Sequence, residues 1–377
     1  MRQMYYLGLA GALALGLLVA CAPSPRTVSG YDEALTYIGR LDRTDSAGPR
    51  QWGAGTYFTF AFDGDGADVD IADERLYGDG YNYLEVVVDG ESVARVATGA
   101  PLNRLVIGKA QQPVVSDTLC HIMHVADSLA AGRHTVLVCR DTECGMGYTQ
   151  VLGVTACGLS KWQPATSHRI EFIGNSITSG MEMYDGVMPF GEGLWYDHHR
   201  AYFAYGPRTA RNLNAQWSLA SVSGIGLMHS CCDHKYVLPQ TYCKVNLVDN
   251  KIDYDFSFNP DLVVSALGQN DGVQDSSKFA SAYLDFIRML REKNPSADIA
   301  LISSPMANDT LRAFFKALLP AIAAEAEAQG FAGKSGKIPY HVFERGFNAG
   351  GAAHPDMAEH EVIAAEVTRF IKDEFGF

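Results

Sequence analysis

The segment R-I-E-F-I-G-N-S-I-T-S-G, Arg169 to Gly180, decides how the chain folds. Ile170 to Ile173 read as a buried strand. The run breaks at Gly174-Asn175 and delivers one serine, Ser176, to a strand-to-helix turn. Further strand-like runs follow at Leu262–Leu267, Ile299–Ser303 and Pro339–Phe343, and another short one before S-V-S-G-I-G, Ser221 to Gly226. Helical periodicity separates them at Ala204–Leu213, Ser277–Glu292, Thr310–Gln329 and Asp356–Phe370. Strands alternating with helices predict a parallel sheet covered on both faces. Ligands of such sheets sit at the carboxyl ends of the strands.

Upstream the pattern differs. Tyr57 to Phe62 is a strand rich in Phe, Tyr and Thr. Tyr83 to Val96 is two alternating runs around Asp89-Gly90, a strong hairpin signal. His134–Cys139 and Gln150–Ala156 are further strands, and long helical periodicity is absent. We expect a β-sandwich of the jelly-roll kind over residues 35–160, joined by K-W-Q-P, Lys161 to Pro164, to an α/β/α domain over residues 165–377.

The chain has 377 residues, 47% apolar and 19% charged, as expected for two globular domains. Its formal net charge of -13 disfavours nucleic acid and anionic lipid surfaces as partners. Residues 1–20 read as a signal segment. Arg2 precedes an apolar run that ends in L-V-A-C, Leu18 to Cys21. Small residues before a cysteine resemble a bacterial lipoprotein signal, cut before Cys21, which then carries lipid. Residues 21–34, rich in Pro and Ser at their start, read as a tether. We therefore expect an exported protein that meets a membrane only through its lipidated N-terminus. Seven cysteines follow Cys21. Within M-H-S-C-C-D-H, Met228 to His234, a disulfide, for instance to Cys243, is a more natural expectation than a metal site in an oxidising compartment.

The strand ends carry a chemical set. G-N-S-I-T follows the first strand, and S-G-I-G ends the second. G-Q-N-D follows the Leu262 strand, and G-G-A-A-H-P precedes the last helix. A serine with a neighbouring imidazole is an activated nucleophile. Glycine-turn N–H groups and an Asn side chain are suitable oxyanion donors. The other reading of Ser176 is a helix cap, where serine is favoured anyway.

These blocks, in their order and spacing, resemble the four blocks of the SGNH (GDSL-like) hydrolases, with Asn175 where that family has Asp. The Arg169–Gly180 stretch, Y-D-F-S-F-N-P-D-L-V-V at Tyr254–Val264 and Y-N-Y at Tyr81–Tyr83 look like carbohydrate esterase family 2. The resemblance spans about residues 35 to 377. It implies a jelly-roll domain joined to an SGNH hydrolase domain, an acetylated plant-type polysaccharide as substrate, and no cofactor or metal. It makes Ser176 the nucleophile and His354 the base. Gly224, Asn270 and the N–H of Ser176 would form the oxyanion hole. Most SGNH enzymes place an Asp two or three residues before the base; here those positions are Ala352 and Gly351. We expect a Ser–His dyad with a main-chain carbonyl on the second imidazole N–H. Asp356 and Glu359 are expected to serve the start of the last helix. Trp195 and Tyr196 are candidates for stacking on a sugar, and His198 or His199 for binding hydroxyls. Two alternatives are an esterase for another acyl group, in a lipid or cell-wall glycan, and a carbohydrate-binding lipoprotein with a decayed site.

Overall fold

The computed structural model describes residues 24–76, 78, 80–113, 120–183, 188–189, 191–249 and 251–377. The expected signal segment and Cys21 lie outside them.

The β domain is organised by one strand, Tyr57–Asp73. Its first half pairs antiparallel with Gly132–Arg140, its second half with Leu102–Gly108, and its other edge with Thr149–Ser160. The sequence D-G-D-G, Asp63 to Gly66, has turn composition, so the reading from sequence stopped the strand at Phe62. The chain instead continues through with register shifts and Gly64 at φ 117. Glycines and bulges let one strand bend and serve two layers. Phe58, Phe60 and Phe62 alternate into the sandwich core. Tyr57 faces the other way and packs on Trp217 of the second domain, ring centroids 4.4 Å apart. Both faces of its Tyr57–Phe62 stretch are buried, which is why that stretch reads as an almost continuous apolar run.

The hairpin forms as expected. Tyr83–Val88 and Glu91–Ala97 are joined by Asp89 (φ 53) and Gly90 (φ 87), the two positive φ values of a type I′ turn. The segment read as a tether is already paired within residues 21–34: Arg26–Ser29 form a strand along Ala156–Gly153. Its Pro/Ser composition concealed a short edge strand.

The second domain holds a parallel five-stranded sheet. Its order is Ala215–Ser221, His168–Gly174, Leu262–Ser265, Asp298–Ile302, Tyr340–His341. The first strand in sequence lies inside, with the second on one side and the third on the other. The chain therefore leaves in opposite directions at its carboxyl end, which opens a crevice there. Ser176 stands at that end. Helices Ser276–Lys293 and Asp309–Ala328 pack together into one apolar cluster, and Tyr205–Asn212 and Met357–Phe375 into another. Tyr57, Val87 and Leu137 of the β domain belong to the second cluster, so the two domains share a continuous core.

Candidate active site

Ser176 is the first residue of a one-turn helix, Ser176–Ser179. Gly174 precedes it because any Cβ there would meet Thr178 Oγ1 at 2.0 Å. Asn175 caps the turn, its Oδ1 accepting the N–H of Ile177 at 3.2 Å. The residue that departs from the usual Asp thus still does a cap's work.

The Ser176 hydroxyl lies 2.8 Å from His354 Nε2. On the other side of the ring, Nδ1 is 3.2 Å from Ala352 O and 3.3 Å from Gly351 O. Carbonyl oxygens only accept, so the neutral ring carries its proton on Nδ1. The lone pair on Nε2 then faces the serine, as a general base requires. The two carbonyls reach back because Ala352 (φ 46) and Ala353 (φ 59) are both left-handed. That conformation is unfavourable for alanine, by roughly 1–3 kcal/mol each. Gly350 N–H to His354 O at 2.7 Å and His354 N–H to Gly351 O at 2.8 Å hold it in place. Asp356 does not touch the imidazole. It caps the last helix through the N–H of Glu359 at 2.7 Å.

Burial pulls His354 below its ordinary imidazole value, and the carbonyls of Ala352 and Gly351 restore part of the fall. A base with a depressed pKa is neutral, and so active, throughout the neutral range. The acid limb of kcat/KM is therefore expected below about pH 6.5, the unperturbed histidine value. A pH–rate profile on a soluble ester checks this; a limb at or above that value would contradict the assignment.

Gly224 follows the second strand with φ 82, a region in which side chains are strained. Its backbone N–H, like that of Ser176, has no partner among the described residues. Asn270 gives one side-chain N–H to Ile225 O at 2.8 Å. An amide nitrogen has two hydrogens, so one remains to donate. Ser176, Gly224, Asn270 and His354 all line one cleft of about 800 Å³.

Sequence reading missed two carboxylates. Asp271 accepts the N–H groups of Leu227, Met228 and His229 at 2.9, 2.5 and 2.9 Å. It ties the loop of Gly224 to the block of Asn270. Glu143 comes from the β domain, is 1% exposed, and accepts the N–H of Ser223 at 2.6 Å. Burial, the largest influence, pushes its carboxyl up, but its interactions with His199 and the hydrogen bond from Ser223 bring it below its ordinary value. No local pattern around D-T-E-C-G announced this, because its partner stands 80 residues away.

The aromatic pair separates. Trp195 is 41% exposed and lines the cleft, whereas Tyr196 is 6% exposed and packs edge-on against Tyr81. Tyr196 is a support for Trp195 and is withdrawn as a sugar contact. His198 and His199 are also buried; His198 Nε2 bonds Glu192 O at 2.8 Å, and His199 Nε2 faces Glu143 at 3.4 Å. The expected link to Cys243 is replaced by a disulfide between the neighbours Cys231 and Cys232. Cys243 keeps a free thiol.

Residues 37–114 match the model of the carbohydrate esterase 2 N-terminal domain. Cellulase/esterase CelE of Acetivibrio thermocellus is 26% identical over 94% of this chain, which spans 41% of CelE. An acetylxylan esterase / glucomannan deacetylase of Cellvibrio japonicus is also 26% identical, over 92% of this chain and 90% of its own length. A solved family two carbohydrate esterase from Clostridium thermocellum, in complex with cellohexaose, superposes with a TM-score of 0.74 at 26% identity, covering 91% of this chain and 99% of that one. A β domain that matches the carbohydrate esterase 2 N-terminal model, followed by a parallel α/β domain in the same two-part fold, makes this chain similar to the family two carbohydrate esterases.

Proposed function

We propose that the chain is a serine carbohydrate O-acetyl esterase that removes acetyl groups from xylan- or mannan-like polysaccharide. The observation that carries this reading is the 2.8 Å contact of Ser176 Oγ with a His354 imidazole of base tautomer, inside a cleft that also holds Gly224 and Asn270. Ser176 Oγ attacks the ester carbonyl while Nε2 takes its proton. The oxyanion is met by the N–H groups of Ser176 and Gly224 and the second N–H of Asn270. Imidazolium returns the proton to the sugar oxygen, which leaves. Water repeats the cycle on the acyl-serine and releases acetate. The names of the curated relatives supply the sugar class. Trp195, exposed on the cleft wall, supplies an apolar face for a sugar ring.

Acetate release from 4-nitrophenyl acetate and acetylated xylan, measured beside Ser176→Ala, tests the reading. Turnover of both esters by the parent and of neither by the variant is expected. A folded parent no faster than Ser176→Ala on either ester would shift the assignment to a longer acyl group or to glycan binding. We also propose export and lipid attachment at Cys21, supported by the L-V-A-C boundary. Radiolabelled fatty acid should enter the parent and be absent from Cys21→Ala.

A further inference from the structure

The loop that presents Gly224 also presents the disulfide. Cys231 and Cys232 are adjacent, bonded to each other, exposed, and part of the cleft wall. Their bond closes a small ring through one peptide unit, and the chain leaves that ring with Cys232 (φ 62) and Asp233 (φ 64) both left-handed.

Three contacts join this ring to the oxyanion donors. The N–H of Cys231 donates to Gly224 O at 2.9 Å. Cys231 Sγ lies 3.8 Å from Asn270 Oδ1. A Cβ built on Gly224 would meet the same sulfur at 3.0 Å. One sulfur atom therefore packs against two of the three residues that supply donors. Asp271 fixes the loop only as far as His229; beyond it, Ser230 Oγ accepts Gly226 N–H at 3.0 Å and donates to Tyr236 O at 2.8 Å. The disulfide is the covalent constraint on the segment between those anchors.

We propose that the Cys231–Cys232 disulfide is a positioning element of the oxyanion hole, so that the rate of acyl transfer depends on this bond being intact. The proposal rests on the hydrolase reading for its assay but concerns the hole itself. Dithiothreitol supplies the two hydrogens and two electrons of reduction: the S–S bond breaks, each sulfur becomes a thiol, and the reagent leaves as its cyclic disulfide. Two unbonded sulfurs cannot remain at bonding distance. The sulfur of Cys231 packs on Gly224 and Asn270, so its adjustment disturbs the contacts that position both donors. A misplacement of about an ångström lowers catalysis by up to about 100-fold.

The test uses the whole exported chain, as isolated and after reduction and removal of the reagent, with the Cys231/Cys232 peptide checked by alkylation and mass. Two rates are read. One is turnover of 4-nitrophenyl acetate. The other is labelling of Ser176 by a fluorophosphonate, in which Oγ displaces fluoride and the phosphonyl oxygen occupies the same hole. We expect both to fall by about 10- to 100-fold in kcat or labelling rate, KM to change little, and reoxidation to restore them. The double variant Cys231→Ser/Cys232→Ser should sit at the reduced level and ignore the reductant. Unchanged rates with both thiols demonstrably open would overturn the proposal. So would an equal loss on treating the double variant, or two free thiols in the protein as isolated. Absent acetate turnover with redox-sensitive labelling would sink the acetyl-ester reading and leave the positioning role standing.

Discussion

His354→Ala is expected to lower turnover of an acetyl ester by about 10⁴- to 10⁶-fold, Ser176→Ala by as much, and the double variant by no more than either alone. The two side chains act as one unit. Without Nε2 the Ser176 hydroxyl has no acceptor for its proton at 2.8 Å, and without Oγ the base has nothing to activate. What survives is the binding and oxyanion contribution. The informative partner variant is Asp356→Ala. Its carboxylate caps the last helix and does not meet the imidazole, so the variant should lose about 1 kcal/mol of stability and keep kcat within a few-fold. Steady-state kinetics beside circular dichroism decide the matter. A folded Asp356→Ala as dead as His354→Ala would mean that the acid does act on the base, and the dyad assignment would fall.

The dyad reading also accounts for how a site with no acid beside its histidine among the described residues keeps the right tautomer. In a triad the carboxylate orients the ring and stabilises the imidazolium. Here the Ala352 and Gly351 carbonyls orient it but carry only partial charge. Farther off, His199 lowers the affinity of His354 for a proton and Glu143 raises it, with the smaller effect of the two, so neither replaces the acid of a triad. Glu143 acts on the site by accepting the N–H of Ser223, beside Gly224. It comes from the other domain, so the β domain belongs to the catalytic apparatus as well as to the cleft wall.

That division marks what the sequence could disclose. Ser176, Gly224, Asn270 and His354 were legible because each follows a strand or precedes a helix, where the topology of a parallel sheet brings residues to one edge. The cap reading of Ser176 does not hold: Asn175 is the cap, and the serine, the first residue of the helix, faces His354. Glu143 and Asp271 were not legible as site residues, because their partners are backbone N–H groups, which any sequence possesses. Trp195 and Tyr196 differ only in which way adjacent side chains point, and tertiary packing alone sets that. D-G-D-G at Asp63–Gly66 gave an honest turn signal that long-range pairing on both edges overrode. The two adjacent cysteines drew attention, yet pairing between neighbours runs against the expectation that a disulfide closes a loop.

Arg40→Ala is expected to be the most destabilising single change at the domain junction, by about 3–5 kcal/mol. Arg40 belongs to the β domain and Glu171 to an interior strand of the parallel sheet, His168–Gly174, and both are about 2% exposed. Arg40 Nη2 meets Glu171 Oε1 at 2.9 Å, and Nη1 donates to Tyr242 O and Lys244 O at 2.5 and 2.9 Å. The second carboxylate oxygen accepts from Tyr242 Oη at 2.6 Å, and the guanidinium lies 4.2 Å from the Tyr254 ring centre. Burial alone would pull Arg40 down; Glu171, Tyr254 and Tyr242 more than offset it and hold the group above its ordinary value, so it stays charged. Truncation removes that charge and leaves a buried carboxylate and two carbonyls with fewer partners. The pair itself need not be a net stabiliser, since an apolar replacement of both members avoids the desolvation of two ions. Arg40→Met/Glu171→Leu should therefore recover much of what either single change loses. Urea unfolding followed by tryptophan fluorescence measures this, and should show one transition, because Tyr57, Val87 and Leu137 share a core with the hydrolase helices. A loss below about 1 kcal/mol for Arg40→Ala, of the size typical of exposed pairs, would show that water reaches the junction. Two separated transitions in the parent would show that the domains fold independently, and the ion pair would then be a contact between finished domains.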